Sequence, residues 1–171
     1  MTREQLEHII RAAAAITGED ELVVIGSQAV LGSCPEPDRV LAASVEADLF
    51  SLKDPHAADL IDGAIGERSL FHQTFGVYAH GVGLDTATLP EGWRDRLVRL
   101  NTPATRGATG LCLEVHDLAV SKLAAGREKD MDYVRVLITT GLAQRDIVAE
   151  RIGTISGDQK RLCAERLGRL K

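Results

Sequence analysis

Two carboxylates lie one residue apart in a segment that alternates polar and apolar side chains. They are Glu46 and Asp48, within Ser44-Val45-Glu46-Ala47-Asp48-Leu49-Phe50. In a β-strand this spacing places both side chains on one face of the sheet. Their oxygens could share one or two divalent cations, which would supply the counter-charge that neighbouring carboxylates need. A strand with a solvated polar face shows the same alternation, so the motif alone leaves both interpretations open.

A second pair of residues could bind an anion. Gly26 and Ser27 follow the apolar run 22–25 and precede a helix-like segment. Backbone N–H groups, a hydroxyl and the positive end of a helix together form an anion site suited to a triphosphate. Ser27 could instead serve only as a helix N-cap.

A lysine and an aspartate further along the chain could complete such a site. Lys122 lies beside Leu118 on the apolar side of the helix predicted over 117–125, where a lysine must either snorkel to solvent or meet an anion. Asp130 shares a helical face with Val134. It could be a buried acid that orients Lys122 or an acceptor, or a first-turn acid stabilised by the helix dipole.

Hydrophobic periodicity predicts the elements that must position these groups. The predicted helices are 3–16, 55–66, 117–125, 128–140, 144–152 and 156–169. The predicted strands are 22–25, 43–52, one or two strands within 70–89, 95–100 and 111–115. We therefore expect an α+β protein with a mixed sheet of four to six strands. Its core would span residues 1–115, with a helical part at 116–171 packed on that core.

Composition excludes several classes of protein. With 171 residues, 44% of them hydrophobic, the chain has room for one compact domain or a small domain with a helical appendage. The sequence has neither the pattern of a secretion signal nor an apolar run long enough to span a membrane. Three widely spaced cysteines fit neither a disulfide framework nor a zinc knuckle. We expect a cytoplasmic protein with no membrane partner.

The charge and the histidines bear on possible ligands. A formal net charge of −5 gives no overall attraction to nucleic acid, so RNA binding would need a local cluster. Four arginines could form such a cluster: Arg94, Arg96, Arg99 and Arg106. They could equally form a charged face that only contacts solvent. His72 and His80 have no Cys or His partner at ligand spacing, so we expect no zinc site.

The order of these motifs resembles the signature of the DNA polymerase β-like nucleotidyltransferases. The signature comprises a hydrophobic strand, Gly-Ser, a helix, and then paired acids on the next strand, here Val24-Ile25-Gly26-Ser27-Gln28-Ala29-Val30 followed by Glu46-Ala47-Asp48. A loop containing Pro35 and Pro37 lengthens the spacing between them. Asp117-Leu118-Ala119-Val120-Ser121-Lys122 and Arg127-Glu128-Lys129-Asp130 resemble motifs of AbiEii-type, MenT-like nucleotidyltransferases, many of which are toxins of toxin–antitoxin systems.

The resemblance implies a nucleotidyltransferase-like mixed sheet flanked by helices. It further implies transfer of a nucleoside monophosphate from an NTP to an acceptor hydroxyl on RNA such as tRNA, on a protein or on a small molecule. Glu46 and Asp48 would bind Mg²⁺, Gly26 and Ser27 would hold the β- and γ-phosphates, Lys122 would neutralise charge, and Asp130 would orient Lys122 or the acceptor. An antitoxin-like protein would be a partner.

Two points of the resemblance leave alternatives open. Active members commonly carry a third carboxylate on a later strand, for which this chain offers Asp85 or nothing. A catalytically silent member of the same fold that binds a partner protein, as a toxin–antitoxin component, is therefore the alternative function.

Overall fold

The computed structural model describes residues 1–170. Its helices are α1 (Arg3–Thr17), α2 (Val30–Ser33), α3 (Ala57–Ile65), α4 (Leu70–Phe75), α5 (Val115–Ala125), α6 (Glu128–Thr139), α7 (Arg145–Gly153) and α8 (Gly157–Arg169). Its strands are β1 (Glu21–Ile25), β2 (Glu46–Phe50), β3 (Tyr78–Gly81), β4 (Val98–Leu100) and β5 (Thr109–Cys112).

The strands form one mixed sheet in the order β3-β2-β1-β5-β4. Strand β1 pairs antiparallel with β2 and parallel with β5, while β3 runs parallel to β2 and β4 antiparallel to β5. The prediction of an α+β fold with a mixed sheet and a helical C-terminal half is confirmed. The proposed division at residue 115 stays a prediction.

Strand β1 occupies the centre of the sheet because its side chains are apolar on both faces. Leu22, Val23, Val24 and Ile25 are all buried. Strand β2 beside it has two unlike faces, since Ala47 and Leu49 are buried in the core whereas Glu46 and Asp48 are partly exposed on the other side. The alternation that the sequence predicts for β2 therefore sets which face of the sheet carries the acids.

The C-terminal helices lie close to their predicted bounds, and α5 and α6 have clear end signals. The Glu114 side chain accepts hydrogen bonds from the first turn of α5, and Gly126 ends that helix in the left-handed conformation. Asp130 lies in the first turn of α6 and caps it with Arg127. These caps fix the short connection that brings α6 alongside α5.

The prediction of one or two strands within 70–89 is wrong for the first residues of this stretch, although β3 lies within it. Residues Leu70–Phe75 form helix α4, which Ser69 caps at the N-terminus and Gly76 closes in the left-handed conformation. Phe71 and Phe75 lie one helical turn apart and pack on the His8 ring, with ring centroids 5.0 and 4.4 Å from it. Aromatic content favoured strand, but capping and this packing favour helix.

The strand predicted over 95–100 is shorter than expected. A single turn of 3₁₀-helix covers Trp93–Arg96, and β4 begins only at Val98. Across residues 1–170, no helix combines the length and the apolar character needed to cross a membrane.

Candidate active site

The paired acids of β2 open onto a cavity of about 880 Å³. Glu46 and Asp48 project from the same face of the sheet, as expected from their spacing. Asp48 lies opposite Ile25 in the antiparallel register with β1, so its carboxylate is beside the point where β1 ends. Helices α5 and α6 also line the cavity.

The turn after β1 passes very close to the Asp48 carboxylate. Gly26 has φ +68° and ψ −168°, a conformation that side chains on L-residues rarely adopt. A Cβ placed on Gly26 would overlap Asp48 Oδ2. The glycine therefore serves both the turn and the close approach of the backbone to the acid.

Lys122 reaches across the cavity to Ser27. Its Nζ donates a hydrogen bond to Ser27 Oγ at 2.8 Å, between residues 95 positions apart in the chain. The same Nζ lies 3.4 Å from Asp130 Oδ1, and the exposed fractions of the two side chains are 10% and 2%. Lys122 is thus held inside the site by a hydroxyl and a carboxylate, and it does not snorkel to solvent.

Residues of α6 support this arrangement. Arg127 Nε donates to Asp130 Oδ2 at 2.6 Å, so Asp130 pairs with two cations at once. The Tyr133 hydroxyl donates to the Ser27 carbonyl oxygen at 2.5 Å, which ties α6 to the turn after β1. The Lys122 ammonium also lies over the Tyr133 ring, 5.2 Å from its centroid.

Strand β3 contributes two groups next to the acids. The Tyr78 hydroxyl donates to Glu46 Oε2 at 2.6 Å. His80 Nδ1 lies 3.4 Å from Asp48 Oδ1 and 3.6 Å from Glu46 Oε1. Parallel pairing of β3 with β2 sets Tyr78 opposite Glu46 and His80 opposite Asp48.

The surroundings of the two acids shift their pKa values in opposite directions. Burial and the neighbouring Glu46 carboxylate raise the pKa of Asp48 to about 6. Burial alone would also raise the pKa of Glu46, but the hydrogen bond from Tyr78 and the contact with Asp48 hold it below its ordinary value. Burial lowers the pKa of Lys122, although Asp130 opposes that shift. The acids therefore repel each other, and a cation between them would relieve the repulsion.

All six residues singled out from the sequence line this one cavity: Gly26, Ser27, Glu46, Asp48, Lys122 and Asp130. They come from the end of β1, from β2, from α5 and from the first turn of α6. The arrangement combines a carboxylate pair on one side with a hydroxyl and an ammonium on the other. Such a site can hold a cation and the phosphates of a nucleotide next to each other.

Comparison with known families assigns the chain to one of them. The family model described as "Nucleotidyltransferase of unknown function (DUF6036)" matches residues 4–163. The chain belongs to this family. The matched range contains the Gly-Ser motif and the paired-acid motif. It also contains the motifs of Lys122 and Asp130. No curated protein and no solved structure matches the chain.

In this DUF6036 protein, Asp117 in the first turn of α5 has a structural role. Its carboxylate is fully buried and accepts two hydrogen bonds of 2.9 Å from Arg96. Arg151 of α7 lies 3.6 Å from the same carboxylate. Asp117 therefore anchors α5, and with it Lys122, to the segment before β4 and to α7.

The arginine cluster is largely engaged within the DUF6036 protein itself. Arg96 pairs with Asp117, Arg99 lies 2.8 Å from Glu21, and the Arg94 guanidinium lies over the Trp93 ring. These contacts engage three of the four arginines of the cluster with groups of the chain itself.

Four residues at the site had no role there assigned from the sequence: Tyr78, His80, Arg127 and Tyr133. Tyr78 and His80 do show a spacing of two, which is a signal for a shared strand face. Nothing local indicated that β3 would pair with β2. Asp85, the candidate third carboxylate, is exposed in a 3₁₀ turn and does not line the cavity in this family member.

Proposed function

We propose that this DUF6036 protein transfers a nucleoside monophosphate from an NTP to an acceptor hydroxyl. One observation carries the proposal: Lys122 Nζ donates to Ser27 Oγ at 2.8 Å in the cavity that the Glu46 and Asp48 carboxylates line. At about 880 Å³ the cavity also falls within the range of about 300–1,000 Å³ typical of small-molecule sites.

The residues present fit a divalent cation. Glu46, Asp48 and His80 each offer a ligand atom, and these atoms all lie within 4.8 Å of one another. The carboxylate oxygens of Glu46 and Asp48 are ligands that suit Mg²⁺. Glu46 and Asp48 would hold the cation, which would supply positive charge beside the triphosphate during transfer.

Residues of the chain then have distinct roles around the triphosphate. The backbone at Gly26 and the Ser27 hydroxyl hold the β- and γ-phosphates at the end of β1. Lys122 is placed to contact a phosphate oxygen in the cavity, where low exposure strengthens its attraction to negative charge. Asp130 keeps Lys122 in position, and Arg127 keeps Asp130 in position.

The acceptor hydroxyl could belong to RNA, a protein or a small molecule. Because Arg96 and Arg99 are paired with acids of the chain, we favour a protein or small-molecule acceptor over RNA. The placement of Lys122 and Asp130, which lie in the motifs that resemble AbiEii-type toxins, supports a finer proposal. This protein would act as the toxin of a toxin–antitoxin pair and bind an antitoxin-like protein.

Transfer can be tested with NTPs labelled at the α-phosphate, incubated with the protein, Mg²⁺ and a cell extract. We expect label to appear on an acceptor with the wild-type protein and not with Asp48→Asn. The matched control is Asp59→Asn, an exposed acid of α3, which should transfer as the wild type does. Full transfer by Asp48→Asn would contradict the assignment. A wild type that neither transfers label nor binds NTP in a metal-dependent way would favour the silent, partner-binding alternative.

A further inference from the structure

His80 lies on the same sheet face as the two acids because β3 runs parallel to β2. The register sets His80 opposite Asp48, so their side chains project side by side. The ring is half exposed and lines the cavity together with Glu46 and Asp48. Its Nδ1 is therefore the third potential ligand atom at the carboxylate pair.

The distances suit a shared cation better than a direct hydrogen bond. His80 Nδ1 is 3.4 Å from Asp48 Oδ1 and 3.6 Å from Glu46 Oε1, beyond the usual N–H···O range of about 2.7–3.2 Å. Two neighbouring ligands of an octahedral ion bound at about 2.1 Å lie about 3.0 Å apart. A small inward movement of the three side chains would close them around one ion.

The other oxygen of each carboxylate has a close neighbour of its own. Glu46 Oε2 accepts the hydrogen bond from Tyr78, and Asp48 Oδ2 lies against the Gly26 backbone. The remaining oxygens, Oε1 and Oδ1, are the ones that face His80. Two fixed acids thus present one oxygen each toward one imidazole nitrogen, an arrangement in which neighbouring groups orient the ligands.

We propose that His80 is a third metal ligand of the Glu46–Asp48 site and that it shifts the metal preference of this site from Mg²⁺ toward first-row transition cations such as Mn²⁺. The inference rests on the proposed function, because that function places the metal on Glu46 and Asp48. The inference adds a nitrogen ligand to the carboxylate pair. It also adds a preference of the site for transition cations over Mg²⁺.

Selectivity follows from the chemistry of the imidazole. Mg²⁺ prefers oxygen ligands and gives up its water molecules reluctantly, so an imidazole adds little to its binding. First-row transition cations accept imidazole nitrogen readily alongside carboxylate oxygen. The His80 ring should therefore strengthen Mn²⁺ binding much more than Mg²⁺ binding.

Pulsed EPR of Mn²⁺ bound to the nucleotide-free protein provides the test, together with calorimetric titration of Mn²⁺ and Mg²⁺. The variants are His80→Ala and His80→Asp, with His56→Ala as the control because His56 is exposed before α3. Circular dichroism would verify that each variant is folded. We expect nitrogen modulation from a coordinated imidazole in wild type and in His56→Ala, and its loss in His80→Ala.

Affinity should change in a metal-specific way. His80→Ala should weaken Mn²⁺ binding about tenfold and change Mg²⁺ binding less than threefold. His80→Asp, with an oxygen ligand in place of nitrogen, should favour Mg²⁺ relative to wild type. Mn²⁺ bound without nitrogen modulation, or equal losses for both metals in His80→Ala, would overturn this inference and leave the proposed function standing. If wild type binds neither metal, both fail.

Discussion

The backbone of Gly26 lies directly against the carboxylate of Asp48, so that a Cβ on residue 26 would overlap Asp48 Oδ2. This contact joins the end of β1 to the acid face of β2. It places the phosphate-binding turn and the metal-binding carboxylate of the proposed site side by side. The requirement for glycine at this position is therefore both conformational and steric.

Replacing Gly26 by alanine should damage the site more than the fold. The positive φ costs about 1–3 kcal/mol of unfolding free energy for a side-chain-bearing residue. The new methyl group must also displace the Asp48 carboxylate. We expect Gly26→Ala to stay folded and to lose at least tenfold in metal-dependent NTP affinity, measured by calorimetry with thermal unfolding in parallel.

Gly63→Ala is the matched control for that experiment. Gly63 lies in α3 with nothing within 4 Å of an added Cβ. Alanine there should raise the unfolding free energy by about 0.5–1 kcal/mol, as in other helix interiors. Its NTP affinity should equal that of wild type. Unchanged affinity in Gly26→Ala would show that Asp48 does not have to keep its present position.

Asp130 should make stability depend on pH in acid solution. Burial alone would raise its pKa, but the Arg127 hydrogen bond and the Lys122 charge hold the pKa below its ordinary value. A lowered pKa in the folded state gives stability that is present above about pH 4 and is lost as pH falls through the folded pKa. We expect Asp130→Asn to lower the unfolding free energy by about 1–3 kcal/mol at pH 7.

Denaturant unfolding between pH 7 and pH 3 would measure this difference. The difference in unfolding free energy between wild type and Asp130→Asn should narrow as the pH falls below about 4, because Asp130 of the unfolded chain takes up a proton before Asp130 of the folded protein does. Asp132→Asn is the control on the same helix, since Asp132 is exposed and pairs with the exposed Arg135. A gap of the same size at every pH would argue against an ionised Asp130 in the folded protein.

Much of this site could be predicted from sequence because its signals are local. The alternation of Glu46 and Asp48 in β2 indicates a shared face whatever the sheet order. Lys122 on the apolar side of its helix indicates a buried partner, and the structure supplies Ser27 and Asp130. Caps mark both ends of α5 and the start of α6, and caps also act within a few residues.

Contacts that depend on long-range pairing could not be predicted in this way. His80 and Tyr78 reach the acids only because β3 pairs in parallel with β2, and no local pattern specifies that register. Helix α4 was missed because its phenylalanines suggest a strand until their packing on His8 is known. The ion pairs of the arginine cluster could not be predicted, because the partners Asp117 and Glu21 lie in other elements.

Binding to RNA should be weak and only slightly dependent on salt. Each phosphate contact steepens the fall of log K with log salt, by about 0.7 for single strands. With Arg96 and Arg99 already paired, we expect a slope equivalent to no more than about three contacts. Fluorescence anisotropy with labelled RNA at several salt concentrations would measure it. Tight binding with a slope equivalent to six or more contacts would restore RNA as the acceptor.

The central claim is that one cavity binds the metal and the triphosphate together. Calorimetric titration of a non-hydrolysable NTP analogue, with Mg²⁺ and with EDTA, tests it most directly on wild type, Asp48→Asn and Lys122→Met. Methionine keeps most of the lysine volume and removes the ammonium group, with its charge and its hydrogen bond to Ser27. The account predicts Mg²⁺-dependent binding by wild type, its loss in Asp48→Asn, and at least tenfold weaker binding in Lys122→Met, all with folded proteins. Equal affinity in all three proteins, with or without Mg²⁺, would contradict it.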